Sequence, residues 1–198
     1  MTDSGRVTRG HGLLEGFLAR QRGKMANRLI PEAARGGRIL DIGCGSYPLF
    51  LTQTEFAEKH GIDRTPNTAQ PDGIHLHDHD VSQSPALPFD ADHFDVVTML
   101  AVFEHLDRPT MAGLASEIYR VLRPGGCYVV TTPAAWTNPI LQALSRLGLV
   151  SEEEIDEHEP LYGLREIRSI VCTAGFADAK ITMGRFELGL NTWGRAVK

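Results

Sequence analysis

Glycine and acidic residues stand where two buried strands of the chain are predicted to end. Residues 38–42 form a short apolar run, and Gly43-Cys44-Gly45 follow it directly. Glycine lets a backbone turn sharply and approach a ligand closely. Asp63 follows Gly45 by 18 residues at the end of the next predicted strand, where an acidic side chain can accept hydrogen bonds from ribose hydroxyls. The spacing predicts a nucleoside site at the ends of these strands.

Pro48 narrows the kind of nucleoside that this loop is expected to bind. The dinucleotide fingerprint Gly-x-Gly-x-x-Gly requires glycine at position 48, where this chain has proline. A pyrophosphate seated on the following helix is therefore disfavoured, and a nucleoside without phosphates is favoured. A nicotinamide-dependent oxidoreductase stays open as the alternative.

Three histidines alternate along another predicted strand. His75, His77 and His79 would share one face of that strand because successive side chains point to opposite faces. Histidine is a common metal ligand, so a metal patch is one interpretation. The third strand of such a sheet is usually an edge, where polar side chains discourage pairing with other chains. We favour edge protection and expect no metal site.

Glu104 and His105 follow the most apolar predicted strand. A histidine at that strand end could take a proton from a substrate, since imidazole titrates near neutral pH. The alternative is that both residues cap the next helix and shape the pocket floor, and the sequence does not separate the two. His158 and Tyr162 are further candidates at the substrate site. Arg165 could bind an acidic substrate or lie on the surface of a helix.

Alternating strands and helices would position these residues. Apolar runs predict strands at residues 38–42, 59–63, 73–78, 94–101, 127–132, 179–183 and 192–197. Apolar residues at helical spacing predict helices at residues 12–31, 107–122 and 163–174, and Pro48 suits the first turn of another. This alternation predicts a doubly wound α/β sheet that binds its ligands at the carboxyl ends of the strands.

Composition excludes several other classes. The 198 residues, 42% of them hydrophobic, suffice for the core of a single domain. A net charge of −5 provides no positive field for nucleic-acid phosphates or anionic lipid. Three distant cysteines without a Cys-x-x-Cys pair argue against a disulfide framework and fit a reducing cytoplasm. The longest apolar stretch, residues 94–103, is far short of the roughly 20 residues of a membrane span.

Ordered sequence blocks add a family resemblance over residues 38–132. The blocks are Ile39-Leu40-Asp41-Ile42-Gly43-Cys44-Gly45, Gly61-Ile62-Asp63, Asp80-Val81, Leu87-Pro88-Phe89, Phe94-Asp95-Val96-Val97, Phe103-Glu104-His105-Leu106 and Leu122-Arg123-Pro124-Gly125-Gly126. In this order they resemble the class I S-adenosylmethionine-dependent methyltransferases, particularly the small-molecule branch related to quinone biosynthesis. The resemblance implies a mostly parallel, seven-stranded Rossmann-like sheet with one antiparallel strand at the C-terminal end. Tyr47 departs from it, because many members have a third glycine there.

The resemblance also implies a role for each matching residue. Gly43 and Gly45 would line the methionyl part of S-adenosylmethionine, and Asp63 would hold the ribose diol. The Asp80-Val81 pair would meet the adenine, with Asp80 accepting from its exocyclic amine, and Met99 would pack near the adenine or the sulfonium. Asp41 would either contact the cofactor or tie down backbone amides of the glycine loop.

The function predicted from these residues is methyl transfer from S-adenosylmethionine to a small-molecule acceptor. A member of the family that binds the cofactor without turnover is a further alternative. Residues 1–198 would form one methyltransferase domain, with residues 1–10 as a flexible lead-in. Residues 136–162, which include Trp136, would cover the substrate pocket. The sequence does not specify the acceptor, the methylated atom or the oligomeric state.

Overall fold

A computed structural model describes residues 15–64, 71–137 and 162–198 of the chain. Its helices are α1 (Glu15–Leu29), α2 (Leu49–Thr52), α3 (Arg108–Val121) and α4 (Leu164–Thr173). Its strands are β1 (Arg38–Ile42), β2 (Glu58–Asp63), β3 (Ile74–Asp78), β4 (Phe94–Leu100), β5 (Leu122–Pro133), β6 (Ile181–Phe186) and β7 (Asn191–Val197). The predicted alternation of strands and helices is confirmed.

All seven strands belong to one sheet, in the order β3-β2-β1-β4-β5-β7-β6. The pairs from β3 through β5 are parallel, whereas β7 runs antiparallel to both β5 and β6. The order changes direction between β1 and β4, because β2 and β3 lie on one side of β1 and the later strands lie on the other. This is the mostly parallel, seven-stranded sheet that the sequence resemblance implies, and crevices at such a switch point are where α/β sheets bind ligands.

The sheet buries apolar side chains on both faces. Along β5, Cys127 and Val129 pack on the face covered by α1 and α2, while Tyr128 and Val130 pack on the face covered by α3 and α4. Strands that are buried on both sides have nearly continuous apolar sequences, as the chain shows in β1, β4 and β5. The sheet is therefore a rigid layer whose strand ends hold the loops in place.

Helix α3 shows how local sequence determines these elements. The side chain of Asp107 accepts a hydrogen bond from the Thr110 amide at 2.8 Å, and Pro109 occupies the first turn. Met111, Leu114 and Ile118 form its buried face. Asp107, and not Glu104 or His105, is thus the cap of this helix.

Three features differ from those expected from the sequence. β3 ends at Asp78, as predicted, and therefore does not include His79, which was expected to share a face with His75 and His77. β5 already begins at Leu122, directly after α3, with an irregular register against β4. Helix α2, after the glycine loop, is only four residues long. In the part of the chain that is described, no helix has the length and hydropathy to cross a membrane.

Candidate functional site

Loops from four strands meet around one cavity at the carboxyl edge of the sheet. They follow β1, β2, β3 and β4, and the cavity between them has a volume of about 250 Å³. Parallel strands bring their carboxyl ends to the same edge, which is why residues distant in sequence converge there. The cavity is lined by Gly43, Ile62, Asp63, Arg64, His79, Asp80, Val81, Ser82, Val102, His105 and Leu106.

The loop after β1 depends on glycine for its shape. Gly43 has φ +72° and Gly45 has φ +78°, in the left-handed region that favours glycine. A Cβ atom on Gly43 would lie 2.2 Å from Cγ2 of Val102 in the loop after β4. The Gly43 amide donates to the Ile62 carbonyl at 2.8 Å. The backbone at Gly43 is thus tightly packed against Val102 at the switch point, and a side chain there would clash with it.

Asp63 lies at the end of β2 and is buried, with 2% of its surface exposed. Its Oδ2 atom accepts a hydrogen bond from the Gly45 amide at 2.9 Å, which ties the glycine loop to the second strand. A carboxylate has about four acceptor positions. Asp63 can therefore hold the loop and also accept a hydrogen bond from a ligand in the cavity that it lines.

Asp80, Val81 and Ser82 form the cavity wall that follows β3. The Ser82 amide and hydroxyl donate to Oδ1 of Asp80, at 2.9 and 2.6 Å. These hydrogen bonds, led by that of the hydroxyl, lower the pKa of Asp80 below its ordinary value. Asp80 is consequently a charged acceptor beside the apolar Val81, a combination that suits an aromatic ring with an amine at its rim.

His105 lines the cavity from the turn that follows β4. This turn, Phe103–His105, brings Val102, His105 and Leu106 to the cavity that Asp63 also lines. The hydroxyl of Tyr162 donates to the Leu106 carbonyl at 2.7 Å, and its ring packs edge-on against Phe103 at 4.7 Å between centroids. Tyr162 thereby supports the cavity wall from behind.

Three predicted site residues lie behind this lining. Thr98 donates to Oδ1 of Asp41 at 2.7 Å, and burial raises the pKa of Asp41 to about 7 against that hydrogen bond. Met99 is fully buried in the core beside the Tyr128 hydroxyl, with 3.9 Å between sulfur and oxygen. Glu104 is also buried and accepts from the Thr132 hydroxyl at 3.0 Å. Their roles toward cofactor and substrate stay predictions.

The residues predicted to bind the substrate are dispersed. Trp136, 47% exposed, donates its indole N–H to the Gly189 carbonyl at 3.1 Å, away from the cavity lining. Arg165 is exposed in the first turn of α4. His158 and most of the predicted covering segment lie outside the described residues.

Several lining residues were not identified from the sequence. Arg64 and Ser82 directly follow Asp63 and Asp80-Val81, so extending each block by one residue would have included them. Val102 and Leu106 flank the predicted Glu104 and His105. His79 was predicted to protect the sheet edge together with His75 and His77. In the structure it lines the cavity, and its Nε2 lies 3.0 Å from the Ser84 carbonyl oxygen.

The other two histidines of the predicted trio belong to a second group of side chains. β3 is an edge strand, as expected. The rings of His75 and His77 lie 5.0 and 5.4 Å from that of His60 on β2, and His93 completes this histidine cluster at 6.2 Å from His60. Burial lowers the pKa of both His60 and His77. A hydrogen bond with His60 is the main cause that holds the pKa of Glu58 at about 2.

Comparison with known proteins agrees with the fold. The fold is that of a Rossmann-like methyltransferase. Residues 15–181 match the methyltransferase domain family, and the chain belongs to this family. No curated protein matches the sequence.

Solved structures show the same fold at low sequence identity. An S-adenosylmethionine-dependent methyltransferase from Mesorhizobium loti matches with a TM-score of 0.67 and 17% identity, over 88% of this chain and 96% of that one. A possible histamine N-methyltransferase from Thermotoga maritima gives 0.68 and 17%, over 94% and 91%. Phosphoethanolamine N-methyltransferase 2 from Haemonchus contortus, in complex with S-adenosylmethionine, gives 0.66 and 18%, over 90% and 52%.

The described residues of the cavity suit S-adenosylmethionine. The tight backbone at Gly43, the buried carboxylate of Asp63 and the pair Asp80 and Val81 all line one cavity, which gives it acceptors for a ribose and an adenine. The fit to a dinucleotide is poor, because α2 is too short to provide a helix terminus for a pyrophosphate. The lining therefore suits a nucleoside without phosphates better than a dinucleotide.

Proposed function

We propose that the protein transfers the methyl group of S-adenosylmethionine to an oxygen, nitrogen or carbon atom of a small-molecule acceptor. The observation that supports this most is the placement of Asp63 and His105 around one cavity at the topological switch point. Asp63 suits the ribose of the cofactor, and His105 suits the removal of a proton from the acceptor. The acceptor class is the part of the proposal that rests on resemblance to the quinone-biosynthesis branch.

The binding roles follow from donors and acceptors in the cavity. S-adenosylmethionine supplies an electrophilic methyl carbon on a sulfonium. Asp63 accepts hydrogen bonds from the ribose hydroxyls while it keeps the Gly45 amide. Asp80 accepts from the exocyclic amine of adenine, and Val81 packs against the ring. The methionyl chain lies along the backbone of the glycine loop, which Gly43 brings to the cavity.

The remaining residues must align the acceptor with the methyl group and remove its proton. Holding the acceptor in line with the methyl group can supply about 7–11 kcal/mol of the barrier reduction. His105 accepts the acceptor's proton at a ring nitrogen where the acceptor carries one at neutral pH. Glu104 lies behind it, and we propose that it shapes this turn through its bond with Thr132. Among the described residues predicted to bind the acceptor, Tyr162 contacts the cavity wall, through its hydrogen bond to the Leu106 carbonyl.

The experiment that tests this function is a screen with methyl-labelled S-adenosylmethionine against a panel of small metabolites that includes quinone precursors and amines. Labelled product is expected with the native protein and at least a hundredfold less with His105→Gln, within the range of about 10²–10⁴ for general bases. Binding of S-adenosylhomocysteine without any labelled product across the panel would favour the non-catalytic alternative. Reduction or oxidation of a panel compound with a nicotinamide cofactor would favour the oxidoreductase.

A further inference from the structure

Glu58, His60 and His93 bring three metal-ligating atoms together at the amino end of the sheet. The carboxylate oxygen and the two ring nitrogens lie within 4.8 Å of one another. Glu58 and His60 are two residues apart on β2 and so share one face of that strand. His93 immediately precedes β4, which is separated from β2 by β1. The three side chains therefore converge from two separate parts of the chain.

We propose that this group is a binding site for a divalent first-row transition ion of the zinc type. Imidazole suits Zn²⁺, Fe²⁺ and Ni²⁺, whereas Mg²⁺ and Ca²⁺ prefer all-oxygen sites. Two histidines and one carboxylate are an established zinc ligand set, with a fourth position left for water. The ligands are a carboxylate oxygen of Glu58, Nε2 of His60 and one ring nitrogen of His93.

The distances require little rearrangement. Zn–N distances of about 2.0–2.1 Å keep two ligand atoms of one ion within about 4.2 Å of each other. Oε1 of Glu58 already lies 2.7 Å from Nε2 of His60, and the widest separation in the group is within 4.8 Å. Glu58 and His93 are both partly exposed, so rotation of their side chains can close the remaining gap. The backbone can stay in place.

Neighbouring side chains provide the outer support that metal-bound histidines usually have. Nδ1 of His60 lies 3.1 Å from Nε2 of His77, so a proton on Nδ1 can be donated to His77 while Nε2 faces the ion. Phe94 packs edge-on against the rings of His60 and His93, at 5.5 and 4.8 Å, and Phe89 packs edge-on against His60 and His77. This apolar surrounding limits solvent around the ligands.

The group lies away from the candidate cavity, at the other end of β2. Glu58 begins β2, whereas Asp63 ends it at the candidate cavity, and five residues of strand span about 16 Å at about 3.3 Å each. An ion held by Glu58, His60 and His93 would fasten the start of β2 to the segment before β4. The inference is independent of the proposed methyl transfer.

The test is a titration of chelator-treated protein with Zn²⁺, Co²⁺ and Mg²⁺, followed by calorimetry and by the visible spectrum of Co²⁺. We expect one equivalent of Zn²⁺ or Co²⁺, a higher Tm with Zn²⁺ and no response to Mg²⁺. His93→Gln and Glu58→Gln should weaken Zn²⁺ binding by at least about 10–100-fold, the loss typical of changes that leave the ligands themselves intact. The control is His79→Gln, which removes a histidine outside the cluster and should bind Zn²⁺ as the native protein does.

Two outcomes would overturn the proposal. Absence of a saturable Zn²⁺ or Co²⁺ signal in folded native protein would show that the histidines only pack against one another. Equal Zn²⁺ affinity in the native protein, His93→Gln and Glu58→Gln would place the ion elsewhere on the surface. Because His60 is buried, its substitution could disturb folding, and the two partly exposed ligands separate ligation from stability. Circular dichroism of each variant confirms that it is folded.

Discussion

Asp63 illustrates how one buried side chain can serve both the fold and the ligand. Its Oδ2 atom holds the Gly45 amide, and the carboxylate lines the cavity. Asp63→Ala would remove both functions, so a loss of ligand binding could not be separated from a change in the glycine loop. Asp63→Asn retains an amide oxygen for Gly45 but replaces the other acceptor with an NH₂ group. The asparagine variant is therefore the informative one.

We predict that Asp63→Asn weakens S-adenosylhomocysteine binding by about 5- to 150-fold, which corresponds to about 1–3 kcal/mol for unpaired buried polar groups. The Tm without ligand should change little. Isothermal calorimetry gives the dissociation constant, and differential scanning calorimetry gives the Tm. An unchanged dissociation constant would remove Asp63 from the ligand site.

His105 is predicted to act on the acceptor and not on the cofactor. His105→Gln keeps a polar side chain of similar size but removes the proton acceptor, so turnover should fall by about 10²–10⁴-fold. Affinity for S-adenosylhomocysteine should change less than about threefold, well under the tenfold that about 1.4 kcal/mol represents. Steady-state rates and calorimetry are compared on the same preparation. A parallel loss of cofactor affinity and Tm would indicate a structural role instead.

Asp41 should make stability depend on pH. Burial raises its pKa from 3.8 to about 7 in the folded protein, so the folded state binds more protons than the unfolded state between these values. The contribution of Asp41 to the free energy of unfolding is fully present below pH 3.8 and is lost as pH rises through 7. The native protein should thus lose stability relative to Asp41→Asn across this window. At about 1.4 kcal/mol per pKa unit, the change is on the order of 4 kcal/mol.

Urea unfolding of native protein and Asp41→Asn at a series of pH values measures this difference. The amide can still accept from Thr98 but does not titrate, so the other carboxyl groups cancel in the comparison. A difference that is constant from pH 4 to pH 8 would show that Asp41 titrates alike in both states.

At the scale of elements, the loop that follows β1 packs closely against the loop that follows β4. Gly43→Ala would introduce a Cβ 2.2 Å from Val102 at a backbone φ of +72°. The left-handed conformation alone costs about 1–2 kcal/mol, and the clash adds to it. We predict a loss of more than about 1 kcal/mol in the free energy of unfolding. Adding Val102→Ala should recover part of that loss, by removing the clash but not the strain.

Chemical denaturation of the single and double variants measures these values. Val102→Ala alone serves as the matched control for the lost valine packing. If Gly43→Ala equals the native protein in stability, the close approach of the two loops is incorrect.

Elements with continuous local signals could be predicted from the sequence. The apolar runs of β1 and β4 and the capped, periodic helix α3 lie within a few residues of their expected bounds. Gly43, Gly45 and Asp63 could be identified from the sequence because their signals lie within short stretches of chain. These signals are the ends of apolar runs, glycines in a turn and a fixed spacing to an acidic residue. The cavity lined by Gly43 and Asp63 follows from parallel pairing, which brings those ends to one edge.

Features that depend on tertiary contacts could not be predicted in this way. Nothing near His60 in sequence indicates that His93 will lie beside it, because the chain first passes through β3. The alternation of side chains along a strand predicted His79 on the same face of β3 as His75 and His77. β3 ends one residue before His79, and His79 lines the cavity. The family resemblance implied a place for Met99 near the adenine or the sulfonium, whereas Met99 is buried in the core beside β5. In each case the neighbour in space is remote in sequence.

At the scale of the whole molecule, the sheet separates two groups of polar residues. The candidate cofactor cavity lies at the carboxyl ends of the strands, and the histidine cluster lies toward their amino ends. Substitutions more than about 7–10 Å apart without shared partners usually add within about 0.5 kcal/mol. We predict that the stability changes of Asp63→Asn and His93→Gln add within that margin in the double variant, as measured by urea unfolding. A larger interaction energy would show that the two ends of the sheet are coupled.

The central claim is that the cavity bounded by Gly43, Asp63, Asp80 and His105 binds S-adenosylmethionine. Calorimetric titration of the native protein with S-adenosylhomocysteine, with NAD in a parallel experiment, tests it most directly. One equivalent of S-adenosylhomocysteine should bind, with the weaker affinity predicted above in Asp63→Asn, and NAD should give no saturable heat. Saturable NAD binding, or S-adenosylhomocysteine binding that is identical in the native protein and Asp63→Asn, would contradict the account.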